Sequence, residues 1–208
     1  YKLCGAIFGC GTPLATDVGS GPVMKGDDMA AAKKALAESG YDGTPVVLMA
    51  PGDVVTLKAQ PIVAAQLLRE AGFKVDVQAT DWQTVVSRRA SQKPPSEGGW
   101  NLFFTNWAVP DVMNPIANVM LNGKGKSGGW FGWPKDDEME ALLDKFVRAK
   151  TPEEQKAIAA DIQKRAYDQV TYMHLGQYTG PSAWRTSLKG VLDGPATPVF
   201  WNIEKTEE

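Results

Sequence analysis

The spacing of apolar residues in the first half of the chain predicts strands that alternate with helices. Residues 45–50 form a short apolar run that is typical of a buried strand. Residues 73–80 place apolar side chains at every second position, which predicts a strand with one buried face. Residues 102–104 are Leu-Phe-Phe and predict a strand that is covered on both faces.

Three helices are predicted beside these strands, one before the first strand over residues 27–37 and two between the strands over residues 53–71 and 82–91. Asp27 is placed to cap the first helix. Pro61 either kinks the second helix or marks its true start. The apolar face of the second helix comprises Ile62, Ala65 and Leu68. This order of elements predicts an α/β fold with a mainly parallel sheet flanked by helices.

The second half of the chain is predicted to be mainly helical. Apolar residues at helical spacing indicate an amphipathic helix over residues 137–150, with Met139, Leu142, Leu143, Phe146 and Val147 on its buried face. Thr151, Pro152 and Glu154 form the start signal of a second helix that reaches about residue 170. The two helices form a helical hairpin, and residues 173–178 and 200–203 are predicted as closing strands.

Charge and composition exclude two classes of partner. The chain has 208 residues, a net charge of −2 and a pI near 5.6, so it offers no basic surface for nucleic acid or for an anionic membrane. No apolar run approaches the roughly 20 residues that a membrane-spanning helix needs. We therefore expect no nucleic acid and no membrane insertion.

The two cysteines leave two possibilities open. Cys4 and Cys10 are spaced so that they either close a small disulfide loop in an oxidising compartment or remain as two inert thiols. The chain has a single histidine, His174, which lies far from both cysteines in the sequence. We expect His174 to occupy an edge or surface position. We therefore expect no zinc site and no other metal.

Catalytic motifs receive no support from their context. Residues 123–128 have the letters G-x-G-x-x-G, but they lead into Gly-Trp-Phe-Gly-Trp at residues 129–133 and do not open a helix after a strand. A single histidine leaves no conventional catalytic triad. We predict no catalytic residue, no cofactor and no enzyme activity.

A candidate binding constellation follows the predicted strand at residues 102–104. Asn106, Trp107 and Asp111 come just past the carboxyl end of this strand, where open α/β sheets place their ligands. Asp111 either meets a cationic group of a ligand or caps the turn before Asn114. Three further tryptophans either line the same pocket or pack in the core, namely Trp100, Trp130 and Trp133.

These residues also carry a family resemblance. The chain resembles the second large lobe of the periplasmic solute-binding proteins that feed ABC importers of the dipeptide and oligopeptide type, from about residue 40 to residue 203. The resemblance rests on the order and spacing of residues 72–78, Asp81-Trp82, Arg88-Arg89, Trp107, Asp111 and Pro115.

The resemblance implies a division of the chain. Members of the family are much longer and bind their ligand between two lobes, so a chain that opens at Tyr1 without a leader is expected to be a truncated piece. Residues 1–26 are then an N-terminal arm or linker from the missing lobe. Residues 27–208 are one solute-binding lobe of periplasmic-binding-protein type.

The resemblance also implies roles for single residues. Asp111 matches the aspartate that pairs with the α-ammonium group of a peptide, and Trp107 matches an aromatic beside it. Some members carry an arginine where this chain has Phe104, and the loop before Asp111 has one extra residue here. Arg88 or Arg89 either supplies a cation for the ligand or only solvates a helix end.

Together these observations predict the ligand-binding lobe of an extracytoplasmic solute receptor. Such a receptor delivers peptides or similar small solutes to the permease of an ABC importer from the periplasm, or from a membrane anchor outside the cell. Two alternatives are an effector-sensing domain of a regulatory protein with the same fold and, as a third choice, an α/β enzyme.

Overall fold

The computed structural model describes residues 3–26, 28–192 and 199–206. The α-helices are α1 (Gly21–Lys25), α2 (Met29–Glu38), α3 (Gln60–Ala71), α4 (Trp82–Arg88), α5 (Val109–Val112), α6 (Asp137–Arg148) and α7 (Pro152–Gln169). The strands are β1 (Val46–Pro51), β2 (Val75–Thr80), β3 (Leu188–Lys189) and β4 (Glu204–Lys205). The chain divides into two compact units, a sheet unit (Gly26–Asn106) and a hairpin unit (Tyr1–Lys25 with Trp107–Glu208).

The sheet unit is built on two parallel strands. β1 and β2 pair from Val46 opposite Val75 to Pro51 opposite Thr80. On the other edge of β1, Leu102 adds a single parallel bridge to Leu48. The predicted strands at residues 45–50 and 73–80 are confirmed within one or two residues of their ends.

The predicted strand at residues 102–104 is wrong. Leu102 accepts one hydrogen bond from Met49 and donates one to Val47, and the ladder stops there. The side chain of Asn101 takes the place of a further strand residue, because its Oδ1 accepts the backbone N–H of Val47 at 2.8 Å. Leu102 is 38% exposed, so this segment is not covered on both faces.

The helices of the sheet unit begin and end at local signals. Pro61 lies in the first turn of α3, so it marks the true start of that helix, and Gly72 ends it with a φ of 115°. Ala65 is buried as predicted, whereas Ile62 is 66% exposed and does not belong to the buried face. The N-cap of α2 is Asp28, and the predicted cap Asp27 lies outside the described residues.

The hairpin unit takes its name from α6 and α7, which pack against each other as predicted. Thr151 caps α7 through its Oγ1, which accepts the backbone N–H of Glu154 at 3.2 Å. Val147 was predicted on the buried face of α6 but is 65% exposed. The core of the unit contains residues of both helices, of the N-terminal segment and of the segment before α6. Its members are Ile7, Phe8, Leu121, Met139, Phe146, Ile158, Ala159, Ile162 and Ala166.

The segment before α1 is held inside the hairpin unit by α7. The side-chain amide of Gln163 is fully buried and bonds three backbone groups of this segment, at Ile7, Thr16 and Val18. Cys4 and Cys10 form a disulfide, which decides between the two possibilities for these residues. The assignment of residues 1–26 to another lobe and of residues 27–208 to one lobe remains a prediction.

The two closing strands predicted near the C-terminus are wrong. Residues 173–178 are irregular apart from an isolated bridge residue at Gln177, and residues 200–203 contain a turn in which Asn202 has a φ of 72°. The strands of this region are instead β3 and β4, which pair antiparallel. Phe200 is 78% exposed, so its apolar character does not reflect a buried strand.

Candidate ligand-binding site

Asp111 lies in the first turn of α5, in the hairpin unit. The helix is short, with backbone hydrogen bonds from Asp111 to Ala108 and from Met113 to Val109 of 3.0 and 2.9 Å. The Asp111 side chain is exposed, and its carboxylate has no hydrogen bond or ion pair with any described residue. Within the described residues, Asp111 therefore presents an exposed carboxylate that takes part in no ion pair.

The alternative role of Asp111, as the cap of the following turn, is filled by another residue. The side-chain Oδ1 of Asn114 accepts the backbone N–H of Ile116 at 2.9 Å. The backbone oxygen of Asn114 accepts the N–H of Ala117 and of Asn118. The turn is thus closed without Asp111.

Trp107 belongs to an aromatic row that comprises Trp107, Trp130 and Phe131. The rings of Trp107 and Trp130 meet edge to face, with centroids 5.9 Å apart and an interplanar angle of 64°. Trp130 and Phe131 follow at 5.1 Å. Trp107 is 39% exposed, whereas Trp130 and Phe131 are half-buried. The row offers a partly exposed apolar surface, and its member Trp107 lies two positions before the start of α5 in the sequence.

Trp130 and Phe131 lie in a loop over residues 123–136 whose two ends are joined by hydrogen bonds. Gly123 and Asp136 are joined by a backbone hydrogen bond of 2.9 Å, and Gly125 bonds Pro134 at the same distance. Gly123 also donates its N–H to the side chain of Glu140 at 2.7 Å. A β-carbon on Gly123 would lie 2.4 Å from the backbone oxygen of Asp136, so only glycine fits there. We call this segment the aromatic loop.

Asp136 anchors the aromatic loop to both helices of the hairpin. Its side chain caps α6 at Met139 and receives two hydrogen bonds of 2.9 Å from Arg165 on α7. The Arg165 guanidinium holds the pKa of the Asp136 carboxyl below its ordinary value, with the cap bond to Met139 acting in the same direction. Arg165 also pairs with Glu138 at 2.7 Å. Arg165 lies 29 positions from Asp136, so no local sequence pattern indicates this pair.

Arg88, predicted as a ligand residue, fastens a loop of the sheet unit. Its Nε donates to the backbone oxygen of Gly98 at 2.8 Å and its Nη2 to that of Gly99 at 2.7 Å. Its Nη1 donates to the side chain of Gln78. All three guanidinium nitrogens thus bond to protein oxygens, which is a structural role.

Trp100 and Asn106 also have protein partners in the sheet unit. Trp100 donates its indole N–H to the backbone oxygen of Arg89 at 3.1 Å, and its ring meets Phe103 edge to face at 4.9 Å. Asn106 donates from Nδ2 to the hydroxyl of Thr56 at 2.7 Å. Of the predicted site residues, the structure brings Trp107 together with Trp130 and shows internal partners for Arg88, Trp100 and Asn106.

His174 lies deeper than the edge or surface position that was predicted for it. Its Nε2 is buried and has no hydrogen-bond partner among the residues that the structure describes, and burial lowers the pKa of the imidazole below its ordinary value. Among the described residues, no group of three or more histidine, cysteine or acidic side chains is arranged to hold a metal ion. None of the helices in the described ranges combines the length and apolar character needed to cross a membrane.

Solved structures show which fold the chain shares. It is similar to the ABC transporter substrate-binding protein CtaP from Listeria monocytogenes, with a TM-score of 0.65 and 19% identity, over 82% of this chain and 33% of that one. It is also similar to a dipeptide-binding protein from Pseudoalteromonas sp. SM9913 in complex with Met-Leu, with a TM-score of 0.62 and 17% identity, over 86% and 36% of the two chains. These neighbours confirm the predicted α/β fold of periplasmic-binding-protein type.

Sequence comparisons show the family. A curated relative from Sinorhizobium fredii, a probable peptide ABC transporter periplasmic-binding protein, is 34% identical over 206 residues, which are 99% of this chain and 38% of the relative. The chain therefore spans less than half the length of that protein. Residues 8–130, more than half of this chain, match the family model described as bacterial extracellular solute-binding proteins, family 5 Middle. The chain belongs to the family 5 extracellular solute-binding proteins.

Proposed function

We propose that this chain is part of an extracytoplasmic receptor that captures peptides and delivers them to the permease of an ABC importer. The name of the Sinorhizobium relative supports a peptide cargo, and so does the dipeptide that the Pseudoalteromonas neighbour holds. The family description supports a position outside the cytoplasm. The family consists of solute-binding receptors and not of enzymes, and we propose that this receptor likewise performs no chemistry.

The observation that carries the proposal is the exposed carboxylate of Asp111, four positions after Trp107 in the chain. A carboxylate that loses water on ligand binding needs a cationic partner, because burying it unpaired costs several kcal/mol. The α-ammonium group of a peptide supplies such a partner through charge-assisted hydrogen bonds. Trp107 supplies apolar surface for the side chains of varied peptides.

We propose that the carboxyl end of the peptide contributes less to binding than its amino end. Phe104 stands where some family members have an arginine, and the Arg88 guanidinium bonds Gly98, Gly99 and Gln78. Neither residue then supplies a cation to a ligand carboxylate. We therefore expect the receptor to distinguish peptides with a free amino end from those with a blocked one, and to tolerate amidation of the carboxyl end.

Native mass spectrometry of the full-length receptor that contains this sequence tests the proposal. The receptor is incubated with a tripeptide library, with the same library after N-acetylation, and with maltotriose as a neutral solute of similar size. We expect the receptor to retain members of the free library and to retain few after acetylation. Retention of maltotriose alone, or of no peptide at all, would reject a peptide receptor.

A further inference from the structure

The loop closed by the Cys4–Cys10 disulfide is fixed to the rest of the hairpin unit on both sides. Ile7 donates its N–H to the side-chain oxygen of Gln163 at 3.0 Å, and Cys10 donates its N–H to that of Gln177 at 2.9 Å. Cys4 is 1% exposed, and the side chains of Ile7 and Phe8 belong to the core. The loop is therefore a rigid part of the unit.

The tip of this loop touches the helix that carries Asp111. A β-carbon built on Gly9 would lie 2.8 Å from Cγ1 of Val109 and 3.5 Å from its Cγ2. Val109 is the first residue of α5. Thr12 fixes the backbone of the tip, because its hydroxyl bonds the backbone oxygens of Phe8 and Gly9 at 3.0 and 2.9 Å. Gly9 has a φ of +86°, which also favours glycine.

We infer that the disulfide-closed loop positions α5 through the packing of Val109 against Gly9. Val109 lies between Trp107 and Asp111 in sequence, so a shift of the start of α5 moves the carboxylate relative to the aromatic row. A helix of four residues has few hydrogen bonds of its own to hold its place, so its position depends on such packing. Gly9 is thus a positioning residue. The inference rests on the proposed function where it concerns ligand affinity.

The chain offers a matched control for this inference. Gly11 has a φ of +84°, close to that of Gly9, but a β-carbon on Gly11 meets nothing within 4 Å. Gly9→Ala and Gly11→Ala therefore impose the same kind of backbone strain, and only the first displaces Val109. Val109→Ala removes both γ-carbons, so the double variant Gly9→Ala/Val109→Ala removes the 2.8 Å clash. It keeps the backbone strain and the 3.2 Å approach of the new β-carbon to Cγ2 of Thr12.

Amide hydrogen exchange on the full-length receptor gives a readout that needs no ligand. The N–H groups of Asp111 and Met113 bond Ala108 and Val109 and report the order of α5. We expect Gly9→Ala to speed exchange at these two amides, Gly11→Ala to leave them unchanged, and the double variant to restore them. Equal exchange in the two single variants, or no restoration in the double variant, would overturn the inference.

Affinity for the tripeptide library provides the second arm. We expect Gly9→Ala to weaken retention of the library by about tenfold or more and Gly11→Ala to leave it nearly unchanged. If the wild-type receptor binds no tripeptide, the proposed function fails, while the exchange measurement still decides whether the loop positions α5. Unchanged affinity in Gly9→Ala with a wild type that binds would overturn the role of the loop in binding.

The disulfide itself is tested by the variant Cys4→Ala/Cys10→Ala. We expect exchange at Asp111 and Met113 to rise more than exchange at the amides of α6, because the loop loses its closure near α5. A rise that is uniform over the hairpin unit would mean that the disulfide contributes only to global stability, and it would count against the inference.

Discussion

The guanidinium of Arg165 donates two hydrogen bonds to the carboxylate of Asp136, with Nε–Oδ2 and Nη2–Oδ1 distances of 2.9 Å each. The side chain of Asp136 is 6% exposed, so this bidentate pair is largely shielded from water. Asp136 closes the aromatic loop and caps α6, and Arg165 lies on α7. A single ion pair therefore joins the aromatic loop to both helices of the hairpin.

Asp136→Asn is expected to lower the free energy of unfolding by about 2 to 3 kcal/mol, because it removes the buried carboxylate that bonds the Arg165 guanidinium at two nitrogens and leaves only the exposed Glu138 as its charged partner. Asp144→Asn is the control, since Asp144 and Arg148 form a pair on the surface of α6 at 3.8 Å with both side chains more than three-quarters exposed. That change is expected to cost less than about 0.5 kcal/mol. Urea denaturation measures both, and equal losses would show that the buried pair has no special role.

The contribution of Asp136 is also expected to depend on pH. Its pKa in the folded protein is lowered, chiefly by the hydrogen bond from Arg165, from an ordinary value of 3.8. A carboxyl group whose pKa is lowered by folding stabilises the folded state at pH values above its ordinary pKa. This stabilisation is lost as the pH falls through the pKa of the folded state. The difference in unfolding free energy between wild type and Asp136→Asn should thus be constant near neutral pH and shrink below about pH 4. A difference that persists unchanged to about pH 2 would exclude this linkage.

Gln163 is expected to be the most sensitive polar residue of α7. Gln163→Leu removes the partner of the buried N–H of Ile7 and of the partly buried oxygens of Thr16 and Val18, which costs about 3 kcal/mol in unfolding free energy. Gln169→Leu is the control on the same helix, because Gln169 is exposed. Thermal and urea unfolding should separate the two variants clearly. Similar stability for both would mean that the amide network does not hold the N-terminal segment.

The sequence predicted those elements whose limits are set by nearby residues. The cap at Thr151, Pro61 in the first turn of α3 and Gly72 at its end all act within one helical turn, so their patterns are local. Strands are different, because they need a partner from elsewhere in the chain. Residues 102–104 have the composition of a buried strand, but only Leu102 finds a bridge to Leu48. The predicted burial of Val147 is wrong for the same reason, because its helical spacing fits a face that the fold leaves exposed.

The candidate site could be predicted only in part for a similar reason. Trp107 and Asp111 are four positions apart, so their pattern is visible in the sequence. The partners that hold this region are distant, since Arg165 lies 29 positions from Asp136 and Gln163 lies 156 positions from Ile7. Nothing local indicates such pairs. The contact between Gly9 and Val109 likewise depends on the packing of two separate segments.

The central claim is that Asp111 binds the amino end of a peptide, and isothermal titration calorimetry of the full-length receptor tests it most directly. Trialanine and N-acetyl-trialanine are titrated into the wild type and into Asp111→Asn, which keeps the shape of the side chain and removes its charge. We predict that acetylation weakens binding to the wild type by about 10- to 100-fold, as the loss of a charge-assisted hydrogen bond requires, and has little effect in Asp111→Asn. Equal affinity of the wild type for the free and acetylated peptides, or the same acetylation effect in both proteins, would contradict the claim.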